Sequence, residues 1–291
     1  MKIEPTGRIL GATVTGIDLS QPLSHAQRDE IDQAIGRHGV LEFVDQHPSP
    51  RQLRDFGACF GELEVNVANV GRDPELPEVM ILSNMQVDGK PIGLSDAGQD
   101  WHTDMSYSRQ VAFANILHGI QIPHRNGEPL GNTEFCSMHA AYDGLPPAIV
   151  ERLEGMTVLH DFDKFWELMR LRKGSTRPPL SPEQRAARPP VSHPIFPVHP
   201  LTGRRVLYAN PGYSVRINEL PEAQSEEMLE FLFRHQTLPA YRYAFRWRGD
   251  SVLMWENIGT IHNAVADYGP DEHRLIRRCQ VAASRFRELR A

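Results

Sequence analysis

The feature that most restricts how this chain can fold is Trp101-His102-Thr103-Asp104, read together with the distant His262. On extended backbone, residues two positions apart share a face, so the His102 and Asp104 heads can reach one metal ion. Of the thirteen histidines, only His102 has an aspartate two places on. His262, in Trp255-Glu256-Asn257-Ile258-Gly259-Thr260-Ile261-His262, can join them only if the fold brings the end of the chain back to its first half. Taken alone, His-x-Asp is weak evidence, because a core histidine bonded to a neighbouring carboxylate gives the same pair.

The rest of the chain reads as many short strands with dispersed helices. The stretch from Ile9 to Leu19 mixes β-branched residues with glycines, as a bent strand does. Ser24 is a helix N-cap ahead of apolar positions recurring every three or four residues, and Ser49-Pro50 opens a second helix through Phe60. Strands are expected at Gly39–Asp45, Val79–Asn84, Ala112–Ile122, Thr133–Ser137, Met156–His160, Arg205–Tyr208 and Tyr213–Ile217. Val87-Asp88-Gly89-Lys90 reads as a turn, and helices are expected at Met138–Gly144, ended by that glycine, from Pro146-Pro147 through Glu154, and at Ser225–His235. Tyr241–Trp247, Asp250–Trp255 and Leu275–Val281 close the series of strands. Residues 161–192, aromatic and basic and then rich in Pro and Arg, read as a long connection suited to act as a lid, or equally as a surface insertion. The pattern predicts a mainly β fold with peripheral helices, a jelly roll, in one domain spanning 1–291.

Charge and cysteine usage narrow the function. A net charge of −6 with scattered Lys and Arg gives no footprint for nucleic acid or a membrane surface. Cys59, Cys136 and Cys279 are far apart and form no CxxC pair, which suits reduced thiols packed in a core. No apolar run approaches membrane-spanning length and no signal peptide follows Met1, so the expectation is a soluble cytoplasmic protein.

Two histidines and a carboxylate with the far side of the metal open form the facial triad of non-haem Fe(II) oxygenases. Two further residues supply what a 2-oxoglutarate co-substrate needs. One of its carboxylates chelates iron with the adjacent keto oxygen, and the other needs a pocket. A guanidinium is always charged and grips a carboxylate with two parallel N–H bonds, which suits Arg274, and the Thr133 hydroxyl can add one donor. The plainer readings are an exposed strand arginine and an ordinary strand threonine.

With these residues in view, the chain resembles the taurine dioxygenase family of Fe(II)/2-oxoglutarate oxygenases, which includes the 2,4-dichlorophenoxyacetate-type enzymes. The resemblance rests on Trp101-His102-Thr103-Asp104, Gly131-Asn132-Thr133 before Ala140-Ala141-Tyr142-Asp143, Trp255-Glu256-Asn257 with His262, and Arg274 with Arg278. Gly11 to Leu19 extends it over nearly the whole length, in the right order. It implies a double-stranded β-helix, cupin-like, in which His102, Asp104 and His262 bind Fe(II) and Thr133 and Arg274 hold 2-oxoglutarate. It also implies that O2 takes the open position and that C–H hydroxylation yields succinate and CO2 as co-products. Asp104 distinguishes the chain from the iron halogenases that resemble this group, which lack that carboxylate.

Three departures stand out: Leu130-Gly131-Asn132-Thr133 where the family usually has Gly-Gly-Asp-Thr, Glu256 in place of Asp, and one extra residue between His262 and Arg274. The last leaves His273 a poor rival for the anchor. By the same resemblance Arg278 grips an anionic group of the substrate, the alternative being a solvated strand arginine. The taurine enzyme's other contacts map near Asn66, Asn69 and Gly98 without a clear match, so taurine itself is not expected. Asn69 and Met105 are the remaining candidates for substrate contact, with Phe196 beside them, although apolar residues more often serve the core. The expected substrate is a small organic carboxylate, sulfonate or sulfate ester. Rival readings are desaturation or epoxidation at the same site, a metallohydrolase on the same triad, or a non-catalytic binding protein on the same fold. Symmetric association is the default for soluble enzymes, so a homo-oligomer is expected.

Overall fold

Side-chain alternation along three neighbouring strands decides which way each face of the main sheet looks. In Ser251–Glu256, Val252 and Met254 enter one apolar cluster and Leu253 and Trp255 another. Ala112–Gln121 divides Ala114 and Ile116 from Leu117 in the same way, and Leu275–Ala282 divides Cys279 and Val281 from Ile276. Successive strand residues point to opposite faces, so each strand feeds two cores at once. The first cluster includes Ile31 and Ile35 of the His25–His38 helix and Leu53 and Phe56 of the Pro50–Ala58 helix. The second includes Phe135 and Phe245, from a smaller sheet on the other side.

The structure, a computed structural model, describes residues 1–65, 71–95, 98–172, 178–286 and 288–289. The main sheet has seven strands in the order Lys2–Pro5, Ala12–Thr15, Val40–Phe43, Ser251–Glu256, Ala112–Gln121, Leu275–Ala282 and Met80–Ser83. All its pairings are antiparallel except Ala12–Thr15 with Val40–Phe43. The smaller sheet places Thr133–Ser137 between Arg242–Phe245 and Thr260–Ala264, with Phe135 opposite both Tyr243 and His262. Two such sheets packed face to face, with helices outside, make the double-stranded β-helix jelly roll that the sequence predicts.

Local chemistry explains the element ends. Ser24 and Ser49 each close a capping box, with Gln27 and Gln52, and Pro50 sits where a helix needs no N–H. Gly39 ends the first helix in the left-handed conformation at φ 69°. Glu256 builds the turn from the main sheet to the smaller one. Its buried carboxylate accepts the N–H groups of Ile258 at 2.8 Å and Gly259 at 2.8 Å, and faces His199 Nε2 at 3.1 Å. A glutamate therefore serves in that turn where an aspartate is usual.

Three expectations need correction. Arg205–Tyr208 is not a strand. Val206, Leu207 and Tyr208 are all buried, and their N–H groups go to three separate places, Pro197, Met138 and Ile195. The 161–192 stretch is more than a connection: it carries the helices Phe162–Arg170 and Pro182–Ala186, the latter started by a Ser181–Gln184 capping box. Residues 173–177 lie outside the described residues. Trp101–Asp104 is not an extended strand either, and its only ladder contact is a single bridge at His102. Among the described residues, no helix is long and apolar enough to cross a membrane.

Candidate metal and co-substrate site

That single bridge brings the two ends of the site together. His102 N–H donates to the His262 carbonyl at 3.0 Å, and His262 N–H donates back to the His102 carbonyl at 2.8 Å. Residues that exchange both bonds sit directly opposite each other, so two imidazoles far apart in sequence emerge side by side. Their ring centroids are 4.2 Å apart. Asp104 completes the group, with Oδ1 3.7 Å from His102 Nε2 and Oδ2 3.7 Å from His262 Nε2. The three donor atoms all lie within 4.8 Å of one another.

Protonation suits these groups to a cation. Burial holds both imidazoles below their ordinary pKa, so each keeps a lone pair at neutral pH. His102 Nδ1 lies 2.8 Å from the Asp100 carbonyl, so it carries the proton and Nε2 is left to face the triad. Burial pushes the Asp104 carboxyl up, but the Arg278 guanidinium, with the Asn115 hydrogen bond, opposes it, and the group is held well below the usual carboxylate range. Two neutral imidazoles and one carboxylate, converging and buried, form the donor set that non-haem Fe(II) takes.

Behind the triad stands a polar network that the main sheet supplies. Asp104 Oδ2 accepts from Asn115 Nδ2 at 2.8 Å and from Arg278 Nη2 at 2.9 Å. The Asn115 amide oxygen accepts from Arg278 Nε at 3.0 Å and Gln280 Nε2 at 3.1 Å. Asn115 Nδ2 also reaches Asn257 Oδ1 at 3.1 Å, and the Thr103 hydroxyl donates to the Asn257 carbonyl.

The co-substrate end is different in kind. Arg274 is buried at 7 % exposure, and among the described residues no carboxylate pairs with it. Its Nη2 donates to the Gly131 carbonyl at 3.2 Å, its guanidinium lies 5.8 Å from the Tyr268 ring centre, and its Nε has no partner. Gly131 has to be glycine here: at φ 69°, a Cβ would meet Arg274 Nε at 2.7 Å. Two residues on, buried Thr133 accepts Trp247 Nε1 at 3.1 Å, which leaves its own hydroxyl hydrogen to donate. A buried guanidinium without a salt-bridged carboxylate, close to a spare hydroxyl donor, fits the carboxylate end of a small diacid.

The Phe162–Arg170 helix covers the metal side. Phe165 packs 4.9 Å from the His102 ring and 4.9 Å from Tyr213. Gly212 admits them, since a Cβ there would lie 2.7 Å from His102 Cβ and 3.1 Å from Phe165 Cδ2. Beyond the helix, Arg172 pairs with Asp100 and Gln99, just ahead of the metal motif.

The structure thus brings His102, Asp104 and His262 to one point and sets Arg274 against the loop before Thr133. Arg278 is committed to Asp104 and Asn115, contacts that use two of its five N–H groups. Met105 follows the triad in left-handed backbone at φ 55°, buried. Phe196 is not at the site: it packs on Tyr142 at 5.0 Å within the main core. Asn66 and Asn69 lie outside the described residues. Sequence reasoning missed Asn115, Trp247, Phe165 and Asn257. Asn115 did carry a signal, as the one amide within the otherwise apolar run Ala112–Leu117.

Comparison with known proteins agrees with this geometry. The profile of the family described as taurine catabolism dioxygenase TauD, TfdA family matches residues 2–280. A pentalenolactone F synthase from Streptomyces avermitilis is 32 % identical, covering 94 % of this chain and 90 % of its own. An alpha-ketoglutarate-dependent 2,4-dichlorophenoxyacetate dioxygenase from Cupriavidus pinatubonensis is 31 % identical, covering 89 % and 90 %. Among solved structures, AAD-2 in complex with Mn(II) and N-oxalylglycine superposes with a TM-score of 0.81 at 25 % identity, covering 97 % and 98 %.

Proposed function

Because the chain belongs to the taurine catabolism dioxygenase TauD, TfdA family, and so is an alpha-ketoglutarate-dependent dioxygenase, we propose that it hydroxylates a C–H bond of a small organic anion. In this reading His102, Asp104 and His262 hold Fe(II), and Thr133 and Arg274 hold 2-oxoglutarate. Bound iron and co-substrate supply the oxidation of the C–H bond by O2, with succinate and CO2 as co-products. The protein's own residues place and shield the reactants. Arg274 fixes the far carboxylate of the co-substrate and so aims its keto acid end at the triad. The remaining N–H groups of Arg278 meet the substrate's anionic group, and Met105 adds a contact. Phe165 and Tyr213 close the metal side against water and face an apolar substrate body.

The observation that carries this reading is the buried Arg274, with no carboxylate in salt-bridge range among the described residues, next to the loop that bears Thr133 and four residues before Arg278, which reaches Asp104. The 2,4-dichlorophenoxyacetate relative, whose named substrate is an organic carboxylate, supports the substrate class, and sulfonates and sulfate esters share its anionic head. A second outcome, desaturation or epoxidation in a biosynthetic pathway, is favoured by the relative named as a synthase. Product mass separates desaturation, which removes two hydrogens, and NMR separates the two oxygen insertions, a hydroxyl from an epoxide. We also read residues 1–291 as one catalytic domain with 161–192 as its lid, in a cytoplasmic homo-oligomer.

The test is anaerobic titration of Fe(II)-loaded protein with 2-oxoglutarate, following the visible metal-to-ligand charge-transfer band. Wild type is expected to give the band, His102→Ala to lose it, and Arg274→Ala to need far more 2-oxoglutarate. No band in iron-loaded wild type would overturn the reading.

A further inference from the structure

Both donors that reach Asp104 end on the same oxygen. Asn115 Nδ2 and Arg278 Nη2 lie 2.8 Å and 2.9 Å from Oδ2, whereas Oδ1 receives no hydrogen bond from the described residues. A carboxylate oxygen offers about two lone-pair directions, so two donors fill Oδ2 and leave Oδ1 to a cation. The donor side is equally well defined. The Asn115 amide oxygen accepts from Arg278 Nε, which can only donate, as well as from Gln280 Nε2, so its NH2 must be the end that faces Asp104 and Asn257. Its two donors and its oxygen are all used, and Asn115 is fully buried on a central strand, so it has no room to turn.

We infer that Asn115, working with Arg278, is the positioning residue that makes Asp104 bind the metal through one oxygen only. This rests on the iron and 2-oxoglutarate reading given above. The consequence is coordination arithmetic. An octahedral ion held by two imidazoles and one carboxylate oxygen keeps three positions, two for the 2-oxoglutarate chelate and one for O2. A carboxylate bound through both oxygens removes one of these, and once the co-substrate is in place the ion is closed to O2. Asn115 touches neither the metal nor the co-substrate, and it acts entirely through Asp104.

The experiment reads coordination without turnover. In wild type, the infrared difference spectrum on Mn(II) binding should show the wide gap between symmetric and antisymmetric carboxylate stretches that marks one-oxygen binding. In Asn115→Leu, the gap should narrow. Nitric oxide, a surrogate for O2, should bind anaerobic Fe(II) protein saturated with 2-oxoglutarate and give its high-spin EPR signal. Asn115→Leu should keep the 2-oxoglutarate charge-transfer band yet bind nitric oxide about 10- to 100-fold more weakly, the usual scale for groups behind a metal ligand. A narrow gap in wild type overturns the inference, even if Asn115→Leu does not fold. Unchanged nitric oxide affinity in a folded Asn115→Leu also overturns it. Failure of wild type to bind Mn(II) or Fe(II) at all would instead remove the metal reading beneath it.

Discussion

Arg278 lies in the strand Leu275–Ala282 and Arg274 one residue ahead of it, and the fold treats the two in opposite ways. Arg278 meets a carboxylate at 2.9 Å and an amide oxygen at 3.0 Å, so its charge is matched within the protein. Arg274 is buried deeper, against a peptide carbonyl and the Tyr268 ring, with one nitrogen unpaired. Burial works against the Arg274 charge, and Tyr268 and Asp267 offset it only in part, with no carboxylate in salt-bridge range among the described residues. The contrast teaches that identical side chains four residues apart can be complete or incomplete. The incomplete one marks where a ligand must supply the missing charge.

Substitution should separate the two. Arg278→Met leaves Asp104 buried and unpaired, and should lower the stability of metal-free protein by about 3 to 5 kcal/mol in urea unfolding. Arg274→Met removes a buried charge that has no salt-bridged carboxylate. It should leave metal-free stability unchanged or raise it by about 1 kcal/mol, while weakening 2-oxoglutarate binding by about 2 to 5 kcal/mol in calorimetry. Equal destabilisation by both substitutions would break the comparison.

A smaller effect follows from the imidazoles. The unfolded chain protonates histidine as pH falls through about 6.5, while buried His102, His160 and His262 stay neutral to lower pH. In that window the unfolded state binds more protons, so the stability of metal-free protein should fall as pH drops below about 6.5. Asp104 extends the loss into more acid solution, because its ionised form is favoured by folding. Stability measured against pH checks this, and a flat profile between neutrality and pH 5 would contradict it. The least effect is expected at Trp247, whose indole N–H orients Thr133. Trp247→Phe should weaken 2-oxoglutarate binding by roughly fivefold, about 1 kcal/mol, with metal affinity unchanged.

Much of the site was legible before folding because its chemistry needs particular residue types. His102-x-Asp104, His262, Thr133 and Arg274 carry metal-binding or carboxylate-binding heads, and their order along the chain matches a known family. Strand periodicity likewise fixed most of the two sheets, since a strand facing two cores must alternate. What could not be read was where each polar group finds its partner. The metal motif was expected on a strand. It lies instead in a turn held by one bridge to His262, because the pair is made by long-range backbone bonds that local propensity does not encode. Phe196 looked available for a pocket and went to the core, while Phe165, inside a stretch read as a connection, reached the metal side on a helix.

The sequence by itself determined which atoms are available to hold a cation and an anion, and that the chain folds as alternating strands. Only the tertiary structure decided that Asn115 and Arg278 both close on one oxygen of Asp104, and that Arg274 is left without a carboxylate in salt-bridge range among the described residues. Hydrogen bonds and ion pairs act over a few ångströms, and which groups come that close is set by sheet register and packing, not by position along the chain.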